Sequence, residues 1–333
     1  MVRRKTVTCC IFVRIGFQPS KSIADVTGDV VNSGGLVVGR EVDAVEVDAV
    51  VMDAAEMNRL SWNAATVAHN SHKGDQAQFF RNGGSTLYPE ELALLGEIDG
   101  SSILHLQCNS GQDSLSLAAL GAAVTGVDIA DSAIDFARTL SAESGIAADF
   151  ERADVSAWLR AAAAGQRKFD RVFSSYGTVI WLPDLDEWAE GIAGVLAPNG
   201  RFVLVEFHPF AMCFDEKWSL TYPYGGGTPV TEPRGVGDYV ADSADLILPG
   251  AEGNGVENFE NPFPSCEFNW SISEVLGALR RAGLTLESFD EYPYANGWQG
   301  FEEMAELGGK RWGVPAGRPE IPLMYSLSVR LAD

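Results

Sequence analysis

Residues 103–129 read ILHLQCNSGQDSLSLAALGAAVTGVDI, and this stretch decides the fold. Its first five residues form a short apolar run, which predicts a central parallel strand covered on both faces. Gly111 then permits a tight turn, and either Asn109 or Ser110 is expected to cap the helix that follows. Strand, turn and helix in this order predict an α/β fold built on a parallel sheet.

The second strand of the unit, Val124 to Ile129, ends on an acid. Asp128 follows the turn by about twenty residues, the interval that places a carboxylate near the ribose in nucleotide-binding folds. The turn brings backbone N–H groups and a helix N-terminus close to a ligand. These residues therefore predict a nucleoside cofactor site, although a glycine and an acid in such a unit can also serve packing and capping alone.

The same residues carry a resemblance to class I S-adenosylmethionine-dependent methyltransferases, which extends over about residues 58 to 331. The first motif of that family is an acid, one residue, and three alternating glycines. The matching positions here are His105, Gln107, Asn109 and Gly111, so only the last glycine is kept. The resemblance implies S-adenosyl-L-methionine as the cofactor, with its methionine end at Gln107, Asn109, Ser110 and Gly111.

Three later stretches resemble the family in the same order. Residues 150–155 resemble a third strand, whose acid lies near the adenine amino group in the family. Residues 168–176 resemble the fourth strand and the loop beside the sulfonium, and residues 199–208 resemble the fifth strand. Together with the second strand, these stretches imply cofactor contacts at Asp128, Ile129, Asp154, Val155, Ser174 and Ser175.

The fold implied is a Rossmann-like, doubly wound, seven-stranded α/β sheet. It is mostly parallel, and its last strand, within residues 322–331, is antiparallel. An N-terminal lid and an inserted cap complete it. The predicted divisions are a poorly ordered or valine-rich extension (1–57), the lid (58–100), the S-adenosylmethionine-binding core (101–208), the substrate cap (209–270) and the C-terminal part of the sheet (271–333).

The lid and the cap are both rich in aromatic residues. In the family such a lid folds over the cofactor, so the resemblance implies contacts from Trp62, Phe80 and Arg81. The rings of the lid can instead close the core. The cap leaves the carboxyl end of the sheet, where open α/β sheets bind ligands. Its aromatic content predicts a planar or apolar small-molecule acceptor.

Methyl transfer is an in-line displacement, so the protein mainly aligns the reactants in a dry pocket. It requires no metal, and a base only where the acceptor must lose a proton. His208, just past the fifth strand, is the first candidate, followed by Tyr176 and then His72. A hydrogen-bonded residue at the rim of the site is the alternative for His208, and His105 is interpreted as a core residue.

The composition of the chain disfavours two classes of binding partner, nucleic acids and membranes. A formal charge of −22 disfavours nucleic acid, which generally requires a basic patch. No apolar run reaches the length that spans a bilayer, which predicts no membrane partner. Five cysteines without metal-ligand spacing predict reduced thiols in a cytoplasmic protein, acting as a monomer or homodimer.

Three functions remain open. The first is methylation of a carbon, nitrogen or oxygen atom of a small metabolite. The second is a nicotinamide-dependent oxidoreductase, which Asn109 disfavours because a pyrophosphate needs the close backbone approach that a glycine permits. The third is a non-catalytic module that binds S-adenosylmethionine.

Overall fold

The computed structural model describes residues 53–241 and 255–332. Its α-helices are α1 (Ala54–Ser71), α2 (Gln76–Arg81), α3 (Pro89–Leu95), α4 (Gln112–Ala119), α5 (Asp131–Ser144), α6 (Val155–Ala164), α7 (Leu185–Val195) and α8 (Ile272–Arg281). Its strands are β1 (Ser102–Leu106), β2 (Ala123–Asp128), β3 (Asp149–Arg152), β4 (Phe169–Ser175), β5 (Leu196–Phe207), β6 (Pro229–Glu232), β7 (Ser265–Phe268), β8 (Leu284–Tyr292), β9 (Tyr294–Asn296), β10 (Ala305–Gly308), β11 (Arg311–Gly313) and β12 (Met324–Leu331).

The main sheet has seven strands in the order β3-β2-β1-β4-β5-β12-β8. Strands β1 to β5 pair in parallel, and β12 is antiparallel to both of its neighbours, β5 and β8. The predicted mostly parallel sheet with an antiparallel last strand is therefore confirmed. Each crossover from β1 to β4 carries a helix, as parallel pairing requires.

Both faces of this sheet are buried, which is why its central strands are apolar without alternation. Leu104 and Leu106 pack with α6 and α7 on one face, where Trp188 is fully buried. Ile103, the residue before Leu104, packs on the opposite face with Leu95 of α3. Successive residues of a strand point to opposite faces, so β1 contributes side chains to both halves of the core.

The lid begins earlier than the predicted boundary at residue 58. Helix α1 starts at Ala54, and the Asp53 side chain caps it by accepting a hydrogen bond from Ala55 N at 2.7 Å. The predicted boundary therefore falls inside one helix. Most of the predicted N-terminal extension, residues 1–52, lies outside the described residues.

The cap is tied to the lid through a reciprocal amide pair. Asn58 Nδ2 donates to Cys266 O at 2.8 Å, and Cys266 N donates to Asn58 Oδ1 at 2.7 Å. This pair joins α1 to β7, which forms a hairpin sheet with β6. A second small sheet, in the order β10-β11-β9, was not predicted. Its strands have three or four residues each, too short for a periodic pattern to show in sequence.

Candidate active site

A cavity of about 500 Å³ lies at the carboxyl ends of β1, β2 and β4. Helix α1, the cap segment 235–240 and the small β10-β11-β9 sheet cover it. The predicted site residues that line this cavity are Trp62, Gln107, Asn109, Asp128, Ile129, Asp154, Val155, Ser175 and Tyr176. Open α/β sheets bind ligands at this edge.

The turn after β1 keeps a glycine-type backbone with few glycines. Gln107 has φ 51° and Asn109 has φ 47°, both in the left-handed region, where non-glycine residues are uncommon. A Cβ at Gly111, with φ 80°, would lie 2.7 Å from Ala137 Cβ and 2.8 Å from Phe150 Cε1. The side chains of Gln107 and Asn109 have room because the cavity lies beside them. At Gly111 the space that a side chain would need is occupied by residues of α5 and β3. Only Gly111 is therefore sterically required.

Neither Asn109 nor Ser110 caps α4 as predicted. Gly111 is the N-cap residue, and no side chain accepts a hydrogen bond there. Instead Asn109 Oδ1 accepts from Ser110 N at 2.7 Å and from Ser110 Oγ at 3.0 Å. The asparagine stabilises its own turn, a common use of this side chain at left-handed positions.

Asp128 is held at the end of β2 by backbone donors. Its Oδ2 accepts from Asn109 N and its Oδ1 from Ala130 N, both at 2.8 Å. Burial raises the pKa of Asp128, and these backbone hydrogen bonds oppose the rise. On the neighbouring strand, Asp154 Oδ1 caps α6 by accepting from Ala157 N at 2.9 Å. Two oriented carboxylates therefore face the same end of the cavity.

Two charged residues that the sequence did not indicate also line the cavity. Lys73 follows α1, and burial lowers the pKa of its ammonium to about 8. Among residues 53–241 and 255–332, Lys73 Nζ has no ion pair or hydrogen bond, while the negative charge of Asp113 opposes the fall in pKa. Asp113 accepts hydrogen bonds from Thr86 Oγ1 and, at 3.4 Å, from Ser175 Oγ. A cation and an anion thus lie beside the turn.

The loop after β4 is anchored by a buried carboxylate, Glu206. Its oxygens accept hydrogen bonds from the backbone N–H groups of Gly177, Thr178 (2.7 Å) and Val179 (3.0 Å). The loop begins at Tyr176, which is in the left-handed region with φ 38°. Sequence reasoning missed Glu206, although an acid within the apolar run of β5 is itself a signal, since buried acids need partners.

Four aromatic side chains form one wall of the cavity, which we name the aromatic wall: Tyr88, Tyr176, Phe207 and Trp298. The ring centroids of Tyr176 and Phe207 are 5.5 Å apart, and those of Phe207 and Trp298 are 4.5 Å apart. Of the cap aromatics, Tyr239 lines the cavity, while Trp218 stacks on Phe301 at 4.3 Å. All four residues of the aromatic wall therefore lie outside the predicted cap.

Two of the three candidate bases lie outside the cavity lining. His208 is buried, and its Nε2 lies 2.8 Å from Glu291 Oε1, while Nδ1 accepts from Phe210 N at 3.1 Å. Burial lowers the pKa of His208, and Glu291 opposes this. His72 Nε2 lies 2.8 Å from Asp238 Oδ2 of the cap. Tyr176 is the predicted base that the structure brings to the cavity.

The remaining predicted cofactor residues also lie behind the lining. Phe80 packs in a core cluster with Leu115 and Phe150. Arg81 NH1 donates to Glu143 O at 2.7 Å on the outside of α5. Ser110 Oγ accepts from Asn70 Nδ2 at 2.8 Å, and Ser174 Oγ donates to Thr178 Oγ1 at 3.0 Å. These side chains do not line the cavity. They pack against, or form hydrogen bonds with, the turn after β1, the lid and the loop after β4.

His105 is a core residue, as predicted, although it touches the cavity. It is 2% exposed, and its Nδ1 lies 2.8 Å from Ser114 Oγ. Burial lowers the pKa of His105 to about 4. In the described part of the chain, no helix is both long and apolar enough to cross a membrane. The same residues contain no cluster of three or more His, Cys, Asp or Glu side chains suited to a metal ion.

Known proteins resemble the region that builds this cavity. Residues 103–200 match a family model described as a methyltransferase domain. A "Ubiquinone biosynthesis O-methyltransferase" of Xanthomonas euvesicatoria pv. vesicatoria (strain 85-10) is 32% identical over 108 residues. That match spans 32% of this chain and 44% of the relative, less than half of its length.

Solved structures of similar topology were also found. A Listeria monocytogenes protein ascribed to the S-adenosylmethionine dependent methyltransferases superposes with a TM-score of 0.50 at 15% identity, covering 73% of this chain and 96% of that one. An S-adenosylmethionine dependent methyltransferase from Mesorhizobium loti gives a TM-score of 0.47 at 20% identity, covering 74% of this chain and 99% of the other. With the strand order and the matched domain, the resemblance of the core to class I S-adenosylmethionine-dependent methyltransferases is confirmed.

Proposed function

We propose that this protein is an enzyme that moves a methyl group from S-adenosyl-L-methionine to a carbon, nitrogen or oxygen atom of a small molecule by in-line displacement. The observation that carries the proposal is one cavity of about 500 Å³, part of whose lining comes from the matched methyltransferase domain. Asp128 lies at one end of it, and the aromatic wall lines another part. A cofactor and an acceptor can therefore meet in one cavity.

The residues present fit S-adenosyl-L-methionine. Asp128 would hold the ribose hydroxyls, since its two oxygens keep lone pairs beyond the two backbone bonds. Ile129, Asp154 and Val155 would hold the adenine. The Asn109 turn would receive the methionine end.

The methionine end carries a carboxylate and an ammonium, and the cavity offers a partner for each. Lys73 supplies a cation that is free of other partners among the described residues, and Asp113 supplies an anion. Hydrogen bonds between charged groups are the stronger kind. We therefore assign the carboxylate to Lys73 and the ammonium to Asp113.

The aromatic wall supports a planar or partly apolar acceptor, because aromatic side chains prefer offset stacking and edge contacts with rings. The name of the Xanthomonas relative places O-methylation in ubiquinone biosynthesis, but the shared 108 residues are too short a stretch to fix the acceptor. The cofactor supplies the activated methyl group. The protein orients the acceptor and excludes water.

Calorimetry with S-adenosylhomocysteine and with NAD tests the cofactor. Heat with the first and none with the second supports the proposal, and the reverse would make the protein a nicotinamide enzyme. Release of S-adenosylhomocysteine across a panel of small acceptors tests catalysis. Binding with no turnover on any acceptor would favour the non-catalytic module.

The tail assignment has its own test with a truncated ligand. Lys73→Met should weaken binding of S-adenosylhomocysteine about tenfold or more, because a charge-assisted hydrogen bond is lost. It should leave 5′-methylthioadenosine, which lacks the amino-acid tail, unaffected. Lys217→Met is the matched control, since that lysine side chain is 64% exposed and lies outside the lining. Equal weakening of both ligands would refute the assignment.

We also propose a cytoplasmic monomer or homodimer without a nucleic-acid partner. The charge of −22 supports the absence of a nucleic-acid partner, because a polyanion would be repelled. Size-exclusion chromatography with light scattering would measure the oligomeric state, and a gel-shift assay would test nucleic-acid binding.

A further inference from the structure

Glu91, on α3, is a buried acid with a spare oxygen. Its residue exposure is 1%, and no basic side chain among the described residues forms an ion pair with it. Oε2 accepts from Tyr88 N at 2.7 Å, which caps α3. Oε1 has no hydrogen-bond partner within the described residues. Capping therefore accounts for one carboxylate oxygen and leaves the other without a role.

Tyr176 is placed between the cavity and the segment that Glu91 caps. It lines the cavity, and its ring centroid lies 6.2 Å from that of Tyr88, whose backbone N–H donates to Glu91. The Tyr176 hydroxyl also lowers the pKa of Glu91, although burial raises it more. The backbone at this tyrosine is in the left-handed region and is held by the loop that Glu206 anchors. Strained conformations of this kind cluster at functional sites.

Hydrogen bonding leaves the Tyr176 proton free for a further acceptor. Asn296 Nδ2 donates to the Tyr176 hydroxyl oxygen at 2.9 Å. The asparagine cannot be flipped without loss, because its Oδ1 accepts from Arg311 Nε at 3.3 Å and its Nδ2 donates to Glu90 Oε2 at 3.3 Å. Since the phenol oxygen accepts from Asn296, its own hydrogen is available for another acceptor.

We propose that Glu91 is the final proton acceptor of the methyl-transfer step and is reached through Tyr176. This inference rests on the proposed function and defines its acceptor as a molecule with an O–H or N–H group at the methylated atom. The bond between that oxygen or nitrogen and the methyl carbon forms while the carbon–sulfur bond breaks, and sulfur keeps the electron pair. The acceptor proton passes to the Tyr176 oxygen, and the phenol proton passes to Glu91.

The other charged groups around Glu91 set its pH behaviour. Asp113 on α4 acts on Glu91 through its negative charge. Glu90 is the neighbour of Glu91 on α3 and forms an ion pair with Arg311. Burial, followed by Asp113, raises the pKa of Glu91 well above its usual value. Because the relay needs the carboxylate form, turnover should rise with pH as Glu91 ionises.

Glu91→Gln separates the relay from the cap. A glutamine side-chain carbonyl can still accept from Tyr88 N, but it cannot take a proton in this pH range. The matched control is Glu274→Gln, because Glu274 holds the same capping-box position on α8 and lies outside the cavity lining. Both variants should stay folded and bind S-adenosylhomocysteine as the unchanged protein does.

A titration without any acceptor tests the coupling directly. The ultraviolet absorbance of tyrosinate, followed against pH with S-adenosylhomocysteine bound, should show one tyrosine ionising at lower pH in Glu91→Gln, with at least a tenfold change in proton affinity. Tyr176→Phe should remove that transition, and Glu274→Gln should leave it in place. Superimposable curves for Glu91→Gln and the unchanged protein would overturn the proposal.

Turnover tests the direction of proton flow, with catechol and aniline as the O–H and N–H probes. With either probe that is methylated, Glu91→Gln should lower kcat about a hundredfold, leave KM for S-adenosylmethionine unchanged and remove the acidic limb of the pH profile. An unaltered profile would overturn the relay. A failure of the proposed function looks different, because the unchanged protein would then bind no S-adenosylmethionine and release no product.

Discussion

The two ends of the cavity are built in different ways. Apart from Lys73, the proposed cofactor end comes from one stretch, residues 103–155, in which Asn109, Asp128 and Asp154 each follow a strand of the parallel sheet. The acceptor end brings together Tyr88, Tyr176, Phe207 and Trp298, which come from four separate segments. Local chain order thus positions one end, and long-range packing and buried carboxylates position the other. Substitutions at the two ends should therefore affect different quantities.

The largest expected effect is at the acceptor end. Glu206→Ala removes the acceptor for four backbone N–H groups, those of Gly177, Thr178, Val179 and Phe207, and should lower the free energy of unfolding by about 3 to 5 kcal/mol, since each unsatisfied buried donor is costly. Urea denaturation measures this. Glu216→Ala, whose side chain is 72% exposed, should change little. Equal stability of the two variants would mean that the loop does not depend on its anchor.

Acid should weaken both ends through buried histidines. Burial lowers the pKa of His105, behind the turn, and of His69, in the lid, from 6.5 to about 4. A histidine with a depressed folded pKa contributes stability above its unfolded pKa and loses that stability as pH falls. As pH falls from 6.5 to 4, each of these two histidines should lower the free energy of unfolding by up to about 3 kcal/mol. Unfolding free energies at several pH values should show a reduced slope in His105→Asn.

At the cofactor end, binding should change more than stability. Asp128→Ala should weaken binding of S-adenosylhomocysteine by about 1 to 3 kcal/mol through lost charge-assisted hydrogen bonds. Calorimetry measures the affinity. Asp149→Ala, an exposed acid on the neighbouring strand β3, is the control. Unchanged affinity in Asp128→Ala would refute the ribose assignment.

The smallest effect concerns the backbone of the turn. At φ 51°, Gln107→Gly should be more stable than Gln107→Ala by about 1 kcal/mol, because only the alanine retains a Cβ in the left-handed region. Both variants lose the side-chain amide, so their difference isolates the backbone term. Thermal unfolding compares them, and a more stable alanine variant would contradict the glycine-type turn.

The sheet could be predicted closely from sequence. Strand β2, predicted over Val124 to Ile129, spans Ala123–Asp128, and β12, predicted within 322–331, begins at Met324. Such strands can be recognised in sequence as apolar runs bounded by glycine or asparagine. A strand that is covered on both faces needs apolar side chains on both, so its sequence is apolar without alternation. Strand direction came from the resemblance, and the register of β12 against β5 confirms it.

The site was less predictable, because side-chain partners cannot be deduced from position along the chain. His208 follows β5 as expected, yet its imidazole pairs with Glu291 across the sheet. Lys73 and Glu91 both lie in the predicted lid, for which the resemblance implied contacts from other residues. Neither has a local sequence pattern that marks a buried charge. Their roles depend on contacts between residues far apart in sequence, which no periodicity reports.

The contact of Gly111 with Ala137 and Phe150 has a consequence for recognising related chains. Of the three glycine positions in the family motif, only Gly111 has no room for a methyl group. Substitutions at the other two, Gln107 and Asn109, therefore leave the backbone path unchanged. A search that counts glycine letters would pass over such chains. Scoring each position by the volume beside its Cα, and by the sign of its φ, would recover them.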